Sequence, residues 1–124
     1  MTYLDTHIVV WLYRGDVELL SRNARDQIQN DDLLVSPVVV LELEYLKEIE
    51  RLKASALQVM GVLSKEISLK VCDLPFSAVV EQALRLKWVR DPFDRLIVAQ
   101  AEANEALLIT KDSTIREHYR RCIW

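Results

Sequence analysis

Apolar runs of three to six residues recur along this chain and alternate with stretches of helical periodicity. Thr2-Tyr3-Leu4, Leu33-Leu34-Val35-Ser36 and Leu107-Leu108-Ile109-Thr110 are the clearest, with Leu69–Leu74 and Cys122-Ile123-Trp124 as weaker examples. Short apolar runs bounded by polar residues suit strands covered on both faces. Between them the spacing predicts helices over His7–Tyr13, Arg22–Asn30, Val38 to about Lys53, Ala54–Ser64, Phe76–Trp88, Asp91–Asn104 and Ser113–Tyr119. Such alternation predicts an α/β fold built as a three-layer sandwich, with helices on both faces of a short, mainly parallel sheet of four to five strands. Right-handed crossovers should connect those strands.

A chain of 124 residues, 51% hydrophobic and 28% charged, can bury a proper core as one domain over residues 1–124. Its longest stretch without a charge, Ala54–Ser64, is far short of the ~20 residues a membrane helix needs. The opening residues MTYLDTH carry an acid and no basic region ahead of an apolar core, so no secretory signal is expected. Cys72 and Cys122 lack metal-ligand spacing and fit buried, reduced thiols, which makes the cytoplasm the expected compartment. A net charge of −3 argues against a non-specific nucleic-acid coat while leaving room for a local basic patch. With only Gly15 and Gly61, no glycine-rich phosphate cradle can form, and neither HExxH nor GxSxG occurs.

The densest chemical information lies in RDPFDRLIVAQA, Arg90 to Ala101. Pro92 suits the first position of a helix and Asp91 the N-cap before it. Asp94 then falls in the first turn, near the positive end of the helix dipole, ahead of an apolar run. A capping role explains either acid alone. Three further acids occupy related positions. Asp5 follows the first strand, and Asp112 comes two residues after the strand 107–110. Glu42 lies in the second turn of the helix that leaves the strand 33–36. In a parallel sheet all strands finish at one edge, so Asp5, Glu42, Asp94 and Asp112 are all expected there. Asp5 and Asp112 also suit plain caps, and Glu42 a solvated partner for a cation. Glu44 competes with Glu42, but helical geometry turns it about 200° away.

Converging carboxylates repel and raise one another's pKa unless a cation relieves them. Oxygen-only ligands suit Mg²⁺ or Mn²⁺, one or two ions, and such ions activate water and stabilise charge on phosphoryl groups. Acids without a histidine base or glycine cradle therefore suggest metal-assisted phosphodiester hydrolysis.

The segments YLDTHIVVWL, VSPVVVLELEYL, DPFDRLIVAQA and LLITKD, with CIW at the end, resemble the PIN-domain ribonucleases, in particular the VapC-like toxins of type II toxin–antitoxin modules. The resemblance runs through essentially the whole chain, with Leu41 where a bulky aromatic often stands. It implies an α/β/α sandwich, a homodimer, Mg²⁺ or Mn²⁺ dependence, endoribonuclease activity, and a cognate antitoxin whose C-terminal tail occupies the active-site groove. By position it makes Asp5 and Asp94 direct metal ligands, with Glu42 completing the first site. Asp112 would then hold a second or water-bridged ion, and Asp91 is read first as a cap and second as a ligand. Thr6 and Thr110, each beside a proposed ligand, suit hydrogen bonding to those acids or simple capping. Arg90 and Arg95 flank the acids, where they could hold RNA phosphates or serve solubility. The apolar faces of residues 38–64 and Trp11 suit a dimer or antitoxin groove, or core packing. Two other readings stay open: a PIN-like module without catalysis that binds a partner, and an aspartyl phospho-acceptor. The second normally needs a paired acid, which TYLDTH lacks.

Overall fold

In the computed structural model, which describes residues 1–124, five strands and seven α-helices follow one another in the predicted order. They are β1 (Thr2–Leu4), α1 (Thr6–Arg14), α2 (Arg22–Asn30), β2 (Leu33–Val35), α3 (Pro37–Glu48), α4 (Ala56–Ile67), β3 (Lys70–Val71), α5 (Phe76–Ala83), α6 (Pro92–Ala103), β4 (Leu107–Ile109), α7 (Ser113–His118) and β5 (Cys122–Ile123). A 3₁₀ turn at Val17–Leu19 is an addition to the expected elements. The sheet is wholly parallel, in the order β3-β2-β1-β4-β5. Successive strand residues point to opposite faces. Thr2, Tyr3 and Leu4 are all buried, so both faces of β1 are covered and the architecture is the expected three-layer one.

Strand order reverses beside β1, where β4 returns from the far edge to pair with it. Thr2, Tyr3 and Leu4 sit opposite Leu107, Leu108 and Ile109, which sets Asp5 next to Thr110 just beyond the strand ends. Parallel sheets open a crevice at such a switch point, at the carboxyl edge of the strands. The core around them includes Tyr3, Leu4, Ile8, Leu43, Ile97 and Leu108, each almost fully buried.

Several boundaries differ from the sequence reading. Helix α3 stops at Glu48 instead of running to Lys53, because the chain turns back at Glu50, whose φ is +61°. That reversal buries Leu52 and lets Ser55 start α4 with a capping box, its hydroxyl accepting the Gln58 N–H. Helix α4 then continues to Ile67, past the expected Ser64. Helix α5 ends at Ala83, not Trp88, since Arg95 Nε donates to the Ala83 carbonyl at 2.7 Å and closes its last turn. Only Lys70 and Val71 of the expected strand Leu69–Leu74 pair with β2. Helical spacing predicts one apolar face of Leu41, Tyr45, Ile49 and Leu52. The first three instead face outward, 61%, 48% and 42% exposed, because α3 buries Val39 and Leu43, and only Leu52, beyond its end, is buried.

Ser36 joins β2 to α3. Its hydroxyl accepts the Val38 N–H at 3.3 Å and donates to Gln100 Oε1 at 3.1 Å, in a buried setting where Gln100 Nε2 has no partner. Ser36→Ala removes the cap and one of the few polar contacts of Gln100. It should lower unfolding free energy by ~1 kcal/mol in a denaturant titration. A stability equal to wild type would show that the hydroxyl is dispensable.

Candidate active site

Asp5 leaves β1 at the switch point and is 3% exposed. It caps α1, Oδ1 accepting the Thr6 N–H at 2.8 Å, while Oδ2 accepts the Thr110 hydroxyl at 2.6 Å. The same Thr110 oxygen accepts the Asp112 N–H at 3.0 Å, so one buried threonine ties the β1 and β4 ends together. Asp112 in turn caps α7 through Ile115 N–H at 2.9 Å. Across the crevice, Glu42 of α3 accepts the Thr6 hydroxyl, a contact that joins positions 36 residues apart. Thr6 thus contacts Asp5 through its amide and Glu42 through its side chain.

Asp91 caps α6, its carboxylate accepting the Asp94 N–H at 3.0 Å. Asp94 is half-buried in the first turn and its pKa is raised to about 7, first by burial and then by the negative charges of Asp5, Asp91, Glu42 and Asp112. Burial also pushes Glu42 up, against the Thr6 hydrogen bond, with Asp5 and Asp91 adding to the rise. Asp94 and Glu42 thus both feel the negative charge of neighbouring acids.

Asp5, Glu42 and Asp94 line one open crevice with Thr6, Val10, Trp11 and Leu46, and Arg14 and Arg51 close its far end. Asp112 and exposed Asp91 stand beside it. The acids share an edge without meeting at one point, for no three His, Cys, Asp or Glu side chains form a cluster that could hold a metal as they stand. Asp5 and Glu42 are engaged by Thr110 and Thr6. The acids still fit a hard cation: repelling carboxylate oxygens, Asp94 raised to about 7, with His7 the one nitrogen donor to a metal lining the crevice. Mg²⁺ binds through one or two carboxylates and retains waters, so a closed cage is unnecessary. Arg95 is turned to α5, donating to the Ala83 and Leu84 carbonyls, whereas Arg90 is exposed at the rim.

The sequence reading missed His7. Its Nε2 accepts the Lys111 N–H at 2.9 Å and its Nδ1 lies 3.7 Å from Asp5 Oδ2. Burial lowers its pKa, outweighing Asp5 and Asp112, and the accepted bond requires a neutral Nε2. Its ring meets Trp11 edge-on at 5.0 Å, and Trp11 in turn faces Trp124 at 6.2 Å. The four-residue spacing of His7 and Trp11 was the available signal. Arg14 and Arg51 were also missed, since their meeting depends on the reversal after α3.

The sequence pattern of the PIN domain matches residues 2–121. This chain belongs to the PIN-domain family. Ribonuclease VapC22 of Mycobacterium tuberculosis is 34% identical to it over 118 residues, 93% of this chain and 89% of the relative. Solved structures share the PIN fold at lower identity. VapBC2 from Rickettsia felis, bound to a DNA fragment from its promoter, aligns over the whole of both chains with a TM-score of 0.64 and 20% identity. A toxin–antitoxin complex from Klebsiella pneumoniae aligns over 100% of this chain and 97% of that chain, with a TM-score of 0.69 and 17% identity. No helix of this PIN domain is long and apolar enough to cross a membrane.

Proposed function

We propose that this PIN domain, one domain over residues 1–124, is an Mg²⁺- or Mn²⁺-dependent endoribonuclease and the toxin of a toxin–antitoxin pair. The observation that carries the reading is the gathering of Asp5, Glu42, Asp94 and Asp112 at the switch-point edge, where burial and the other acids raise Asp94 to about 7. The kinship with Ribonuclease VapC22 supports RNA as substrate, and the fold shared with toxin–antitoxin complexes supports an antitoxin partner.

Asp5 and Asp94 would hold the ion directly, Glu42 would complete the site, and Asp112 would serve a second or water-bridged ion, with Asp91 a cap or a further ligand. A bound ion supplies an activated water and stabilises charge on the phosphoryl group. The protein's own part is positional. Thr110 aims Asp5 Oδ2 and anchors the turn that carries Asp112; Thr6 aims Glu42. Exposed Arg90 would steady RNA phosphates. Arg95, engaged with the Ala83 and Leu84 carbonyls, would first have to turn from α5 to take that role. Trp11 and the crevice walls would receive the antitoxin tail, and the exposed stripe Leu41, Tyr45 and Ile49 offers a homodimer face. A cytoplasmic location would put the protein with its substrate.

Purified protein incubated with total cellular RNA and Mn²⁺ should cut at a few defined positions, mapped from new 5′ ends, and EDTA should abolish the cuts. Undiminished cleavage in EDTA would rule out the metal-dependent mechanism. An absence of cleavage by folded, Mn²⁺-binding protein would favour a non-catalytic interaction module. Thr110→Val, which keeps the shape of the side chain but removes its bonds to Asp5 and Asp112, should lower kcat/KM or Mn²⁺ affinity by about 10- to 100-fold. Unchanged values for both would remove Thr110 from the site's support.

A further inference from the structure

Beside the acidic edge, positive charge is concentrated on one flank. Residues 84–90 and 116–121 contain six of the sixteen Lys and Arg but one of the nineteen Asp and Glu. These thirteen residues carry a net +5, while the remainder of the chain carries −8. The two segments are far apart in sequence, and the fold joins them. Trp88 lies flat on His118, ring centroids 4.7 Å apart and planes 8° apart. Leu86 and Trp88 share a crevice with His118, Tyr119 and Arg120, bounded by Glu102.

Arg121 is drawn towards Glu102 and Glu105, at 3.9 and 4.0 Å. Arg85, Lys87, Arg90, Arg116 and Arg120 are exposed and take part in no ion pair or side-chain hydrogen bond. Arg90 immediately precedes the α6 cap Asp91, and Arg116 stands one turn after the α7 cap Asp112, so both ends of the patch begin at the catalytic edge. We propose that this flank is a phosphate-binding track for the RNA cut at the acidic edge, formed by Arg85, Lys87, Arg90, Arg116 and Arg120 and held together by the Trp88–His118 stack.

The proposal rests on the ribonuclease reading, and charge favours RNA over a protein partner. Leu84 is the one large apolar side chain strongly exposed in these segments, which is little for a protein interface core. The surrounding −8 repels a polyanion, so RNA gains counterion release chiefly along this flank. The track would also offset the repulsion that Asp5, Glu42, Asp94 and Asp112 exert on an approaching phosphate.

The test is equilibrium binding of a fluorescein-labelled RNA hairpin with single-stranded flanks, in EDTA so that nothing is cut. Wild type would be compared with Arg85→Gln/Lys87→Gln/Arg120→Gln, and with Lys53→Gln/Lys65→Gln/Lys70→Gln, which removes equal charge from exposed sites elsewhere. The track variant should bind roughly tenfold more weakly and flatten the slope of log K against log salt by about 2, the control changing neither. No binding by wild type, equal losses in both variants, or no loss in the track variant would overturn the proposal. The same proteins are then assayed with Mn²⁺. Cleavage by wild type with a raised KM and unchanged kcat in the track variant is expected. Selective loss of binding without cleavage by wild type would uphold the track and overturn the nuclease reading.

Discussion

Asp94→Asn should abolish RNA cleavage while leaving the protein folded. The amide keeps the size of the side chain, and Asp91 accepts from the backbone N–H of residue 94, so the helix cap survives. What disappears is an ionisable oxygen, the proposed metal ligand, among the carboxylates at the sheet edge. The loss in kcat/KM should exceed about 100-fold, the upper range for groups that merely support a ligand. Asp5→Asn should lose as much, but it also disturbs the Thr110 contact, so Asp94 is the cleaner test. Rates on a mapped RNA site at saturating Mn²⁺ decide the matter. A variant within tenfold of wild type would show that Asp94 is only a first-turn acid, stabilising the helix dipole.

The same substitution should stabilise the metal-free protein at neutral pH. Asp94 has a folded pKa near 7 against 3.8 for an unperturbed aspartate. Below about pH 3 it is protonated in both states and carries no penalty. As pH rises towards 7 the unfolded chain releases its proton first, so stability falls through that window and stays reduced above it. Because Asp94 is half-exposed, solvent screening leaves roughly 2 kcal/mol of this penalty. Asn cannot ionise, and its unfolding free energy should exceed that of wild type by this amount at pH 7.5 and match it below about pH 3. Glu42, raised chiefly by its own burial, keeps that part of its penalty in both proteins. Mn²⁺ should raise the melting temperature of wild type at pH 7.5 by binding the folded state, and do so far less for Asp94→Asn. A pH-independent difference between the two would mean that Asp94 does not carry the repulsion assigned to it.

Activity and stability thus move in opposite directions at one residue, as expected where charge is held together for chemistry at the expense of the fold. Chelation of wild type should instead lower both together, the metal-free form being less stable and inactive.

Local signals made much of this legible from the residues alone. Asp91-Pro92, Ser36-Pro37 and the acids at Asp5 and Asp112 all start helices, because caps depend on neighbours within four positions. The short apolar runs specified a parallel sheet with both faces covered, and strand polarity then placed the acids at one edge. Tertiary structure decided how those acids stand towards one another. Thr110 reaches Asp5 across 105 positions and Thr6 reaches Glu42 across 36, so the carboxylates share a crevice without closing on one point. It also turned Leu41, Tyr45 and Ile49 outward, shortened α5 through Arg95, and brought Trp88 onto His118. These outcomes depend on which β-strand returns beside β1 and where the chain reverses after α3. A periodic pattern records which residues share a face, but only packing determines what that face meets.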